Sequence, residues 1–440
     1  MSKLSILAER VMEAAWLCAL IIEPLFFNVY SDRVFEPDKL ALLRSIALVV
    51  VAAWLVRWVE TSSAAGEEGQ KPSLWKRIRG TPLALHTLLL VGVYLLSTVT
   101  SVVPRLSLWG SYQRMQGTYS TFSYIVIFAV ILGTLRRREQ LERLLLIAIL
   151  TSLPISLYGL VQHYRLDPLP WGGDVTARVA SNMGNSIFVA AYLIMIVPLT
   201  LRNLLESLSA VLREEAVEVK AAFLVGYLVA VGVQLAAWLV VGFTAGLVVG
   251  TAFIFLTGLF SLSMRKPLLR FLWIGVYSVA LVAQLVCILF TQSRGPVLGL
   301  LGGIFAFILA LAFVRRIRWL QWTSIGSAAG IGLFLLVFNL PNSALQPLKR
   351  LPYVGRLGRV FETERGTGKV RVLIWEGVVE LIGFHEPIGL PGQKDPLNPL
   401  RPFIGYGPEA MYVVYNPFYP PDLAHYERRN ASPDRSHNET

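Results

Sequence analysis

Residues 221–264 read AAFLVGYLVAVGVQLAAWLVVGFTAGLVVGTAFIFLTGLFSLSM, without one Asp, Glu, Lys or Arg. As a single straight helix the run would be about 66 Å long at 1.5 Å per residue, roughly twice the hydrocarbon thickness of a bilayer. A chain that enters a membrane here must turn inside the run. The Gly242-Phe243-Thr244-Ala245-Gly246 segment is the place for it, because glycine tolerates a tight turn. One span or two decides on which side of the membrane everything downstream lies.

Working outward, apolar runs of spanning length recur at 11–30, 40–59, 83–103, 120–135, 142–163, 185–201, 271–290, 295–314 and 319–340. With the split run they predict eleven spans. Only 15% of the 440 residues are charged and 55% are hydrophobic. A soluble chain carries about 25% charged residues. The runs are continuous rather than alternating, which excludes a β-barrel. The expected fold is therefore all-α, a polytopic transmembrane helical bundle. No secretory cleavage pattern precedes the first span, so Met1–Tyr30 reads as a retained helix.

The distribution of positive charge supports the split. With a cytoplasmic N-terminus and eleven spans, 20 Lys/Arg fall in the cytoplasmic segments before Pro341 and eight in the outer ones. That is the positive-inside asymmetry. A single span over 221–264 would move Arg265, Lys266, Arg315, Arg316 and Arg318 outside. The net charge of +12 is thus accounted for by helix flanks, which argues against a nucleic-acid partner. The organisation predicted is a transmembrane region, 1–340, and an extracytoplasmic loop, 341–440. Residues 61–72 read as a polar cytoplasmic linker. No internal repeat of the kind that builds inverted-repeat transporters is visible. Cys18 and Cys287 lie inside apolar runs and read as small buried hydrophobes.

Three outer arginines each precede a helix running inward. Arg114 lies in Gly110-Ser111-Tyr112-Gln113-Arg114-Met115-Gln116-Gly117. Arg178 leads into Ser181-Asn182-Met183-Gly184-Asn185. Arg294 lies in Thr291-Gln292-Ser293-Arg294-Gly295-Pro296. Unpaired N–H groups and the macrodipole make helix N-termini attractive to anions. Arginine adds a fork that matches phosphate. Ser293, with Pro296, and Ser181, Asn182 and Asn185 read as N-terminal capping residues. Together these residues suggest a clamp for a pyrophosphate. The alternative is that interfacial arginines snorkel to lipid headgroups.

Among the five histidines, His86 reads as packed, His163 as interfacial, and His385 and His425 as loop residues. His437 sits in a polar cluster with Asp434, Arg435, Asn438 and Glu439. Its reference pKa near 6.5 suits a general base, and the alternative is a solvated side chain. No Asp-x-Asp, complete phosphate loop or metal-ligand spacing occurs, so neither cofactor nor metal is expected. Glu13 and Glu23 read as isolated carboxylates in the first span, with no ladder for an ion relay. In the loop, residues 369–382 place Val370, Leu373, Ile374, Val378, Leu381 and Ile382 on one helical face. Arg371 and Trp375, four apart, are placed to face a site. Gly407-Pro408-Glu409 reads as a helix start. Tyr406, Tyr412, Tyr415 and Tyr419 offer stacking faces for sugars, or are interfacial anchors.

These pieces resemble the O-antigen ligase / O-antigen polymerase superfamily of polytopic glycosyltransferases. The resemblance spans about 105–440. It rests on Arg178 before Gly184-Asn185, the Thr291-Gln292-Ser293-Arg294-Gly295 turn, the Arg371-to-Trp375 helix, the Pro387-Ile388-Gly389 and Gly405-Tyr406-Gly407 turns, and the His437-Asn438 pair. It implies a multi-pass protein of the bacterial cytoplasmic membrane that works on the outer side. The reaction moves a glycan from an undecaprenyl-pyrophosphate carrier to a hydroxyl of a glycan, lipid or protein acceptor. It implies essential roles for Arg178, Arg294 and His437. The residues expected to bind substrate are Arg114, Asn185, Ser293, Arg371 and Asn438. It also implies spanning helices after the His-Asn pair, so the chain reads as truncated before them. Two other functions compete: a transporter or flippase of lipid-linked glycans, for which His437 is dispensable, and a non-enzymatic scaffold of envelope polysaccharide assembly.

Overall fold

The computed structural model of the chain describes residues 2–64, 74–214, 266–340, 343, 345–350, 366–390, 393–427 and 432–436. The decisive run 221–264, its expected turn and the pair His437-Asn438 lie outside the described residues, as does most of the 61–72 linker.

The described residues are almost wholly helical. In chain order the helices are α1 (Lys3–Leu25), α2 (Pro37–Ala64), α3 (Leu74–Gly80), α4 (Ala84–Val99), α5 (Pro104–Trp109), α6 (Thr118–Thr134), α7 (Arg138–His163), α8 (Ser186–Glu214), α9 (Lys266–Thr291), α10 (Arg294–Val314), α11 (Arg318–Asn339) and α12 (Gly366–Ile382). A two-rung ladder of β1 (Gly389–Leu390) and β2 (Gln393–Lys394) follows. The short helices α13 (Arg401–Ile404), α14 (Met411–Val414) and α15 (Leu423–Tyr426) complete the chain. Helices stand at nine of the eleven expected span positions. Six of them, α2 and α7 to α11, contain segments long and apolar enough to cross a membrane. α4 and α6 are apolar but shorter, at 16 and 17 residues. In α10 and α11 only 6% of the apolar window is buried. Such surface suits a lipid solvent, since water-soluble monomers rarely expose apolar patches of this size. The chain has the pattern of a multi-pass membrane protein.

Two compact units divide the chain: Met1–Leu141 with Phe361–Thr440, and Glu142–Val360. The loop after Phe361 thus packs with the first helices of the chain.

In the first unit α1 lies along α2, and α6 packs on both. Met12, Val50, Ala53 and Val130 form the seam. Ala53, with Ala15 packed against the same cluster, lets the helices approach closely. Arg57 pairs with Glu9 at 2.8 Å. Glu13 and Glu23 are not isolated. Glu13 accepts from Gln140 Nε2 at 2.9 Å and Glu23 from Tyr124 OH at 3.0 Å, because a carboxylate among packed apolar helices needs a donor. Cys18, on the outward face of α1, is exposed rather than buried, while Cys287 is fully buried.

α12 turns Leu373, Ile374 and Leu381 inward, against Leu423, Ile388, Ala410, Val414 and Tyr415. Val370 and Val378 join this face, but Ile382 points outward at 53% exposure. Leu381 already fills the last inward position, and the adjacent residue lies about 100° away. The loop is fastened by Arg401, whose Nε and Nη2 meet Asp395 at 2.7 and 2.8 Å. Its Nη1 donates to the carbonyls of Thr100 and Gly405 at 2.8 Å each. Both charged partners are nearly dry, and four of the guanidinium's five N–H groups are matched by these acceptors. The same dry pairing with Arg401 holds the Asp395 carboxyl below its ordinary value.

The second unit pairs α8 with α9 around Ala148, Ile149, Ile196, Tyr277 and Ala280. At its centre Gln284 donates to Ser152 Oγ at 2.7 Å and Thr200 Oγ1 at 3.0 Å, tying α7, α8 and α9.

Candidate functional site

In the second unit the 164–185 connection folds onto the ends of α7 and α9. Gln162 accepts from the Ala180 and Ser181 amides at 3.1 and 2.7 Å. The His163 ring stacks on Phe290 with centroids 3.7 Å apart, and its Nδ1 meets the Thr176 carbonyl at 2.8 Å. Asp167 accepts from Tyr158 OH at 2.8 Å, Trp171 Nε1 at 2.7 Å and the Leu169 amide at 3.1 Å. Burial opposes its ionisation, but these donors outweigh it and the carboxyl sits below its ordinary value. Asp174 caps the next turn through the Thr176 and Ala177 amides, and the Arg178 amide closes on the Asp174 carbonyl.

That frame delivers Arg178 to the Thr291–Arg294 turn. The Val179 amide donates to the Phe290 carbonyl at 3.3 Å. Arg178 Nε lies 3.4 Å from the Thr291 carbonyl, and Nη2 donates to Ser186 Oγ at 2.7 Å. Ser186 opens α8 and Arg294 opens α10. Arginine segments 116 positions apart in sequence thus meet beside two helix N-termini, where partial positive charge collects. Asn185 caps α8, accepting from the Ile187 amide at 3.0 Å. Ser293 holds the N-cap position of α10 but makes no side-chain cap; its Oγ turns to the Thr291 carbonyl at 3.4 Å. The left-handed Gln292, at φ 50°, sets that direction. Ser181 likewise does not cap α8: its hydroxyl is buried and donates to the Ile155 carbonyl at 2.7 Å.

Arg114, in the first unit, has a different setting. The turn 110–117 is pinched where Gly110 and Gly117 meet; a Cβ on either would collide with the other's backbone. Arg44, buried in α2, holds the turn through Ser120 Oγ and the carbonyls of Trp109 and Met115 at 2.7–2.9 Å. The Glu409 carboxylate accepts from the Ser111 and Gln116 amides. Glu409 is itself left-handed, φ 55°, so Gly407-Pro408-Glu409 forms a turn and the helix starts only at Met411. Arg114 meets Glu36 at 3.1 Å and Asp434 more closely still. Burial works against its charge, but the two carboxylates more than offset this and raise its pKa.

On α12, Arg371 is exposed one turn before Trp375, whose indole N–H donates to the Ser436 carbonyl at 2.7 Å. Tyr406 and Tyr415 are core residues rather than stacking faces, at 8% and 0% exposure. Tyr412, at 40%, stays open. His385 is a partnered loop residue, its Nε2 2.8 Å from Tyr406 OH. Among the described residues no group of three or more His, Cys, Asp or Glu is arranged to hold a metal ion.

Sequence reasoning missed Glu36, Glu409, Gln162 and Ser186 as organisers of these two arrangements. Gln162 carried a signal, as a polar amide inside an apolar span. Glu36 and Glu409 did not, since their partners are distant in sequence, nor did Ser186, because a serine at a helix start reads as a capping residue. No family model matches the chain, and no curated protein and no solved structure matches it either.

Proposed function

We propose that the chain is a membrane glycosyltransferase that moves a glycan from an undecaprenyl-pyrophosphate carrier to an acceptor hydroxyl outside the cytoplasmic membrane. The observation that carries this reading is Arg178 laid against the Thr291–Arg294 turn, beside the N-termini of α8 and α10. A cluster of fixed guanidinium and N–H groups suits a leaving pyrophosphate, whose negative charge grows as its bond to the sugar breaks. Arg178 and Arg294 neutralise that charge. Asn185 and Ser293 shape the two helix entries. The acceptor oxygen attacks the anomeric carbon, the bond to the pyrophosphate oxygen breaks, and the hydroxyl proton passes to His437 as general base. Asn438 and Arg371 contact the glycan or acceptor. The pyrophosphate already activates the donor, so this chemistry calls on neither nucleotide nor metal.

The test is transfer by the purified protein in lipid nanodiscs, given a lipid-pyrophosphate glycan and a labelled acceptor. Arg294→Lys keeps the charge but loses the bidentate fork, and is expected to lower transfer by about 100-fold with unchanged membrane insertion. Full transfer by Arg294→Lys removes Arg294 from this role. No loss of transfer on His437→Ala removes His437 as the base, and no transfer by the wild-type protein favours translocation of the glycan or a scaffold.

A further inference from the structure

We infer that Arg114 is a positioning residue, the centre of a clasp that holds the segment leading into His437, and not a ligand of the donor's pyrophosphate. The inference deepens the transferase reading and rests on it for its catalytic consequence.

Three carboxylates already serve the 110–117 turn. Glu36 and Asp434 take the Arg114 guanidinium, and Glu409 takes the amides of Ser111 and Gln116. A pyrophosphate brought to the same guanidinium would have to displace the Glu36 or Asp434 carboxylate from it. Arg178 donates to the neutral oxygens of Thr291 and Ser186.

The clasp has three fastenings on consecutive residues. Asp434 is held by Arg114, Arg435 donates to Gln116 Oε1, and the Ser436 carbonyl accepts from Trp375. Ser432 adds a bond to Asn416 Oδ1 at 3.0 Å. Residues 434–436 are therefore tied both to the 110–117 turn and to α12. Short segments without secondary structure keep a fixed path only when side chains tie them down in this way. Residue 437 is the next in the chain, and catalysis by a misplaced base falls steeply with small displacements.

The experiment combines hydrogen exchange with kinetics on the intact protein in nanodiscs. In Arg114→Gln and in Asp434→Asn, exchange across 432–436 is expected to rise about tenfold. Transfer kcat should fall about 100-fold while the donor KM changes less than about twofold. Arg114→Lys, which preserves charge and fold, should give an intermediate loss. Unchanged exchange with a raised donor KM overturns the clasp and makes Arg114 a donor ligand. If the wild-type protein transfers nothing, the transferase reading fails, and the exchange data alone then confirm or overturn the clasp.

Discussion

Trp375 donates its indole N–H to the carbonyl of Ser436 at 2.7 Å, across 61 positions of sequence. The indole stands on the exposed side of α12, opposite the face that carries Leu373 and Ile374, so it binds the tail without belonging to the loop's core.

Trp375→Phe keeps the ring and removes only that bond. A single hydrogen bond contributes about 1 kcal/mol, or roughly a fivefold change in an opening equilibrium. Hydrogen exchange across 432–436 should rise by that factor, with no change in α12. Equal exchange in the two proteins would show that the bond does not hold the tail.

Ser186→Ala removes the hydroxyl that accepts from Arg178. Hydrogen bonds to charged groups are worth about 1.5–3 kcal/mol. With Arg178 less constrained, transfer should fall about tenfold, while Ser186→Thr retains most of it. Equal rates in all three proteins would mean that Ser186 does not orient the guanidinium.

Arg401→Met leaves the Asp395 carboxylate buried without its partner, which costs about 3–5 kcal/mol. The 366–427 loop should become sensitive to protease while the helices before it stay intact. The pair also fixes an acid limit. The Asp395 carboxyl is depressed in the fold, so its contribution is fully present above the unfolded value of about 3.9. It is lost as pH falls through the lower folded value. Loop protection measured by proteolysis should hold from neutral pH to about 4 and decline below it. Loss of protection already at pH 6 would contradict this assignment.

Gln284→Leu tests the polar tie in the second unit. Ser152 and Thr200 keep backbone acceptors at Ile149 and Ile196, and Gln284 Oε1 has no hydrogen-bond partner. Removing the amide therefore strands nothing and relieves one buried acceptor. Interhelical side-chain bonds in membranes average about 0.6 kcal/mol. The change in stability on unfolding in mixed micelles should stay under about 1 kcal/mol. A loss several times larger would mean that the amide organises the three helices.

The amphipathic helix in the loop was legible because three of its apolar side chains, Leu373, Ile374 and Leu381, share a face that the structure buries. Ile382, on the same predicted face, is exposed, because periodicity does not say where a partner surface ends. Tyr406 and Tyr415 show the same limit. A tyrosine in a turn-rich loop reads as an open ring, and both are in the core. Ser293 occupies the predicted cap position, yet its hydroxyl follows the left-handed Gln292 before it.

The arginines divide in a way that sequence could not foresee. Arg114, Arg178 and Arg294 look alike as lone cations ahead of apolar helices. Arg114 is met by the carboxylates of Glu36 and Asp434, and the Arg178 guanidinium donates to the neutral oxygens of Thr291 and Ser186. The sequence by itself determined the helical, membrane-spanning character of the chain and the helical face of α12. Burial of apolar surface and backbone hydrogen bonding are periodic and local, so composition and spacing record them. Only the tertiary structure decided which charges cancel, because electrostatic pairing depends on distances between segments up to 320 positions apart, such as Arg114 and Asp434.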